Sequence, residues 1–119
     1  MYKERSLISA RGYKFALEVI RFTSLLPKAP ANIILVRQVI RSVTSIGANI
    51  EEALGGHTRA DFAYCMNVAK KEARETRYWL RMLKDLNGSS YAAKFETLLK
   101  EVEEMINILT KIVKTSTKK

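Results

Sequence analysis

Three interruptions decide what this chain can fold into. Pro27-Lys28-Ala29-Pro30, Gly55-Gly56 and Asn87-Gly88 cut its 119 residues into four long segments. Outside them there is no proline, and the only glycines are Gly12 and Gly47. Each proline lacks an amide donor and disfavours helix in the residue before it, and Pro30 suits the first turn of a new helix. Glycine accepts the left-handed conformation of a helix C-cap, so Gly55-Gly56 and Asn87-Gly88 read as helix ends. Thr58 reads as an N-cap, with Asp61 three residues on in the manner of a capping box.

Within each segment apolar residues recur at steps of three and four, the period of a helix face. The spacing predicts helices over about 9–26, 31–54, 59–86 and 90–113, with Ser6 or Ser9 as the first N-cap. The first carries two stripes, Tyr13, Leu17, Ile20, Ser24 and Phe15, Val19, Phe22, Leu26. That face is wider than one partner helix covers, so it meets either two neighbours in the bundle or another subunit. The second carries Val36, Val39, Ile40, Val43, Gly47, Ile50 and Leu54. The third carries Phe62, Met66, Ala69, Ala73, Thr76, Leu80 and Leu83. The fourth carries Tyr91, Phe95, Leu98, Val102, Met105, Leu109 and Ile112, and the tail KTSTKK has no apolar period and is expected to fray. Four helices with short connections predict an all-α, antiparallel up-down-up-down four-helix bundle, one domain over 1–119.

Composition narrows the function classes. Lys and Arg number 21 against 12 Asp and Glu, a net charge of +9, which attracts polyanions such as nucleic acid, an acidic protein or an anionic surface. The start, MYKERSLISARG, lacks a signal-peptide apolar core, and no unbroken apolar run approaches the roughly 20 residues of a membrane span. The lone Cys65 forms no intramolecular disulfide and suits a reducing compartment. The expectation is a cytoplasmic protein with no membrane partner.

Lys70, Arg74, Arg77, Arg81 and Lys84 step by four, three, four and three along the third helix, with Arg59 on the same line. A solvated face usually mixes signs to form Glu–Lys pairs. An unbroken cationic line suits a phosphate backbone, with salt-sensitive binding of weak sequence specificity. Across that helix Glu72 falls inside the apolar arc near Trp79 and needs a partner there, for which Asn49 and the arginines of the second helix are candidates. Arg41, Ser45, Ala48 and Glu52 form a face of small residues flanked by charges, a candidate second contact surface. Glu51, Glu52, Glu72 and Glu75 lack the histidines that carboxylate metal bundles use, and the lone His57 sits in a turn, so no metal and no cofactor are expected. There is no G-x-S-x-G and no phosphate-binding glycine loop, and an enzyme is not expected.

Three stretches, spread over two helices, carry a family resemblance. IRSVTSIGANIEEA over 40–53, then Asp61-Phe62, then AKKEARETRYWL over 69–80 resemble the four-helix-bundle proteins encoded in intervening sequences of bacterial large-subunit ribosomal RNA genes. The same family includes the accessory variability determinant of diversity-generating retroelements. The resemblance covers nearly the whole chain. It implies a bacterial, cytoplasmic, non-enzymatic protein, a ring-shaped homopentamer and a basic surface for RNA or DNA. For retroelement members it implies action beside a reverse transcriptase. Ser45, Asn49, Glu52, Glu72, Glu75 and Trp79 match the family pattern and are read as structural or subunit-contact positions, as is Arg41. The leading expectation is thus an oligomeric nucleic-acid-binding accessory protein. The alternative is a structural adaptor for an acidic protein.

Overall fold

In the computed structural model, residues 2–56 and 58–117 are described, with side chains from residue 7 onward. They form four α-helices, α1 (Tyr2–Thr23), α2 (Pro30–Leu54), α3 (Arg59–Asn87) and α4 (Ala92–Thr117), with a single 3-10 turn at Ser89–Tyr91 leading into α4. No strand occurs among the described residues. Cross-links between helices give their directions. Ser9 near the start of α1 bonds Glu51 near the end of α2, and Asn32 at the start of α2 bonds Asn87 at the end of α3. Arg59 at the start of α3 reaches Ser116 at the end of α4, and Phe22 late in α1 packs on Phe95 early in α4. Each helix is therefore antiparallel to its neighbours in a closed four-helix arrangement of 47 × 21 × 19 Å.

The helix ends follow local chemistry. Pro30 opens α2, and the Thr58 hydroxyl accepts the Asp61 amide at 3.0 Å to cap α3. Gly55 ends α2 at φ −91°, an ordinary conformation, so the expected left-handed cap at Gly55-Gly56 is not adopted. Gly56 serves by close approach instead, since a Cβ there would lie 3.2 Å from the Ala53 carbonyl oxygen. Gly88, at φ 73°, does use glycine's freedom. His57 lies outside the described residues.

Three boundaries differ from the sequence reading. α1 begins at Tyr2, because nothing before Ser6 breaks a helix, and it ends at Thr23. Two tightened turns, from the Leu25 amide to Phe22 and from the Leu26 amide to Thr23, carry Leu26 back into the core, so the apolar period outlasts the helix. The stretch expected to fray is helical through Thr117: Ser116 is buried, and Arg59 Nε donates to its carbonyl at 2.9 Å. Lys118 and Lys119 lie outside the described residues.

The core holds the expected faces of α3 and α4, apart from the half-buried Tyr91, with Phe15, Val19 and Phe22 from α1 and Leu26 from the turn after it. On α2 the buried line is rotated from the expected one. Leu35, Ser42, Ile46 and Ala53 are inside, while Val36, Ile40 and Gly47 are half-buried and Leu54 is exposed. Leu35, Ile46 and Ala53 keep an apolar step of three and four through Val39, Ser42 and Ile50, and the one polar member is satisfied: Ser42 Oγ and Thr76 Oγ1 lie 2.8 Å apart with both residues fully buried, and Thr76 also donates to the Glu72 carbonyl. A satisfied hydroxyl pair is tolerated in a core, and a rule that seeks apolar letters passes it by. Among the described helices α2 alone is long and apolar enough, by composition, to cross a membrane, a property that Arg37 and Arg41 hide from a search for unbroken runs. A third of that stretch is buried inside the bundle.

Candidate nucleic-acid interface

α3 lies between α2 and α4, and its residues divide into three lines. The line facing α2 contains Glu72, Glu75 and Trp79. Arg41 Nη1 donates to Glu72 at 3.2 Å, and Nη2 donates to Glu75. Burial alone would lower the pKa of Arg41, but the charges of Glu75 and Glu72 and hydrogen bonds to both outweigh it and hold the guanidinium above its ordinary value. Arg41 is thus a clamp across α2 and α3. Ser45 turns inward along α2 to the Arg41 carbonyl at 2.8 Å, and Asn49 Nδ2 donates to the Ser45 carbonyl at 2.8 Å. Asn49 therefore spends its amide on its own helix, and Glu52 stands exposed. Trp79 is half-buried against the core, and its Nε1 has no hydrogen-bond partner among the described residues.

The line facing α4 contains Lys70, Arg77 and Lys84. Arg77 Nη1 grips both carboxylate oxygens of Glu103 at 2.8 and 2.9 Å, and Lys84 pairs with Glu96. This register sets Lys70 opposite Thr110, which offers no charge. Arg59 is turned to the last carbonyls of α4, where a cation also complements the negative end of the helix dipole. The structure therefore does not keep Arg59, Lys70, Arg74, Arg77, Arg81 and Lys84 as one free line. It brings Lys70, Arg74 and Arg81 to a surface with no ion pair to any described residue, and it engages the other three.

The outermost line is Tyr64, Asn67, Lys71, Arg74, Tyr78 and Arg81, all exposed and without an acidic member. Lys71 makes no ion pair to any described residue. Beside it, Asn67, Lys70, Lys71, Arg74 and Tyr78 border a shallow depression, with Glu75, the Arg41 partner, at its α2 side. Sequence reasoning passed over Tyr64, Asn67, Lys71 and Tyr78. The signal was present: Tyr64, Lys71 and Tyr78 are each seven apart and so share a helix face. The surface offers four unmatched cations and two accessible rings. It can hold a chain of phosphates; it has no group placed for covalent chemistry.

A second surface lies between α1 and α2. Gly12, Ala16, Gly47 and Ala48 bring the two backbones close and leave an apolar groove that Tyr13, Leu17 and Ile20 border. The Tyr13, Leu17, Ile20 and Ser24 stripe of α1 thus stays outside the core, with Tyr13 71% exposed.

The model of the 23S rRNA-intervening sequence protein family matches residues 4–111. A solved structure is similar throughout: a protein of unknown function from the S23 ribosomal protein family of Bacteroides thetaiotaomicron, 31% identical, with a TM-score of 0.84, covering 93% of this chain and 98% of that one. No curated protein matches. With the family model matched over nearly the whole length, the chain belongs to the family of 23S rRNA-intervening sequence proteins.

Proposed function

We propose that this protein is a non-enzymatic, oligomeric accessory protein of the bacterial cytoplasm that binds RNA or DNA through the outward face of α3. One observation carries the reading. Arg77 and Lys84 are paired with Glu103 and Glu96, and Arg41 holds Glu72 and Glu75 on the α2 side, which leaves Lys70, Lys71, Arg74 and Arg81 as a cluster of four cations with no ion pair among the described residues. Such a patch binds phosphates by releasing counterions, so affinity falls steeply with salt. Gel-shift titration tests it: binding at low salt is expected, with strong loss when Arg74 and Arg81 become Glu. No binding at low salt, or none lost in the variant, contradicts it.

The groove between α1 and α2 supports self-association, and a ring-shaped homopentamer is the assembly this reading proposes. Exposed apolar residues around small ones form a surface that a second copy can cover. Where neighbouring genes encode a reverse transcriptase, that enzyme is the proposed protein partner, tested by nuclease-resistant co-purification.

A further inference from the structure

We propose that the outer ridge of α3 is a platform for single-stranded nucleic acid, with Tyr64 and Tyr78 stacking on unpaired bases and Lys71, Arg74 and Arg81 holding the phosphates. The proposal rests on the nucleic-acid reading above and narrows it to one class of strand. Three observations carry it. First, Tyr64 and Tyr78 are 71% and 53% exposed, so each ring has a face to offer. A surface needing only solubility would place longer polar side chains there. Second, the rings share one helix face with Lys71 midway between them, and fourteen residues at ~1.5 Å set them roughly 21 Å apart. This alternation of ring and cation is what sequence-tolerant single-strand sites use, since every base has a face to stack but not every site reads an edge. Trp79 meets the Tyr78 ring edge-on at 4.9 Å and 73°, which fixes its tilt.

Third, α3 is flanked on both sides. The Arg41 clamp ties it to α2, and the Glu103 and Glu96 pairs tie it to α4. Packed along α2 and α4, α3 does not project as the single helix that a major groove about 12 Å wide admits. A duplex also keeps its base faces stacked and gives the tyrosines nothing to bind. A flexible strand can lie along the ridge instead.

Fluorescence anisotropy on the full chain decides it, using a ~20-nucleotide oligothymidylate, an abasic strand of equal length and charge, and a duplex. The thymidylate is expected to bind about tenfold or more tightly than the abasic strand. Tyr64→Ala with Tyr78→Ala should bring it down to the abasic level and leave abasic binding unchanged. Tyr64→Phe with Tyr78→Phe should retain the preference, because phenylalanine stacks. Equal binding of thymidylate and abasic strands overturns the platform but leaves the nucleic-acid reading standing. Absence of binding to any strand overturns both. Displacement of thymidylate by polyglutamate as readily as by unlabelled thymidylate identifies an acidic protein as the occupant and overturns the platform.

Discussion

Replacing Arg41 by Ala separates a structural clamp from a decorative surface pair. The Arg41 side chain is 48% exposed, that of Glu75 35% and that of Glu72 only 14%. Once Arg41 is gone Glu75 can turn to water, and its share of the loss is that of a surface ion pair, about 0.2–1 kcal/mol. Glu72 is less free to do so: no other side chain donates to its carboxylate among the described residues, and leaving a largely covered acceptor without its partner costs about 1–3 kcal/mol. The sum is about 1.2–4 kcal/mol, which lowers Tm by roughly 5–15 °C for a domain of this size. Arg77→Ala is the control. Its partner Glu103 is 51% exposed, so the loss stays within about 1 kcal/mol. Thermal denaturation followed by circular dichroism, at one fixed protein concentration, measures both. Glu72→Gln in the Arg41→Ala background should recover much of the loss, because it removes the stranded charge. Equal Tm for Arg41→Ala and Arg77→Ala, or no recovery in the double variant, refutes the reasoning.

Three further outcomes follow from the same contacts. Ser42→Ala should cost about 1 kcal/mol, since Thr76 loses its cross-helix partner and keeps only its bond to the Glu72 carbonyl, whereas Ser42→Ala with Thr76→Val should be close to neutral, because both sides of the contact are then apolar; urea denaturation reads both. Arg59→Ala should speed amide exchange at 114–117 while leaving 95–109 protected, since the last carbonyls of α4 lose their donor. Leu17→Glu with Ala48→Glu, in the α1–α2 groove, should lower the mass seen by light scattering without unfolding the chain; an unchanged mass argues against self-association there.

What the sequence disclosed depended on which force was at work. The α3 and α4 faces were legible because their buried residues are apolar at a clean helical step, Thr76 included by position. On α2, Leu35, Ile46 and Ala53 were legible as an apolar step and were passed over because apolar letters lie on nearly every side of that helix, whereas Ser42 is held by a hydroxyl partner 34 residues away, a relation that local periodicity does not contain. The same limit applies to the charges. Arg77 and Lys84 look equivalent to Arg74 and Arg81 along α3, and only the register of α4 puts Glu103 and Glu96 against the first two. Arg59 joined the line by helical arithmetic but is claimed by the end of α4. The partner of Glu72 was within reach of sequence reasoning, since a carboxylate in an apolar arc demands a cation and Arg41 was among the few candidates.

The central claim is that the unpaired cations of α3, and not the paired ones, bind phosphate. The salt dependence of single-strand affinity tests this most directly. Four phosphate contacts per protomer predict a slope of log K on log salt near −2.8, at about −0.7 per contact. Arg74→Gln with Arg81→Gln should flatten it by about 1.4, whereas Arg77→Gln with Lys84→Gln should change it little. A slope that responds equally to both double variants, or to neither, contradicts the account.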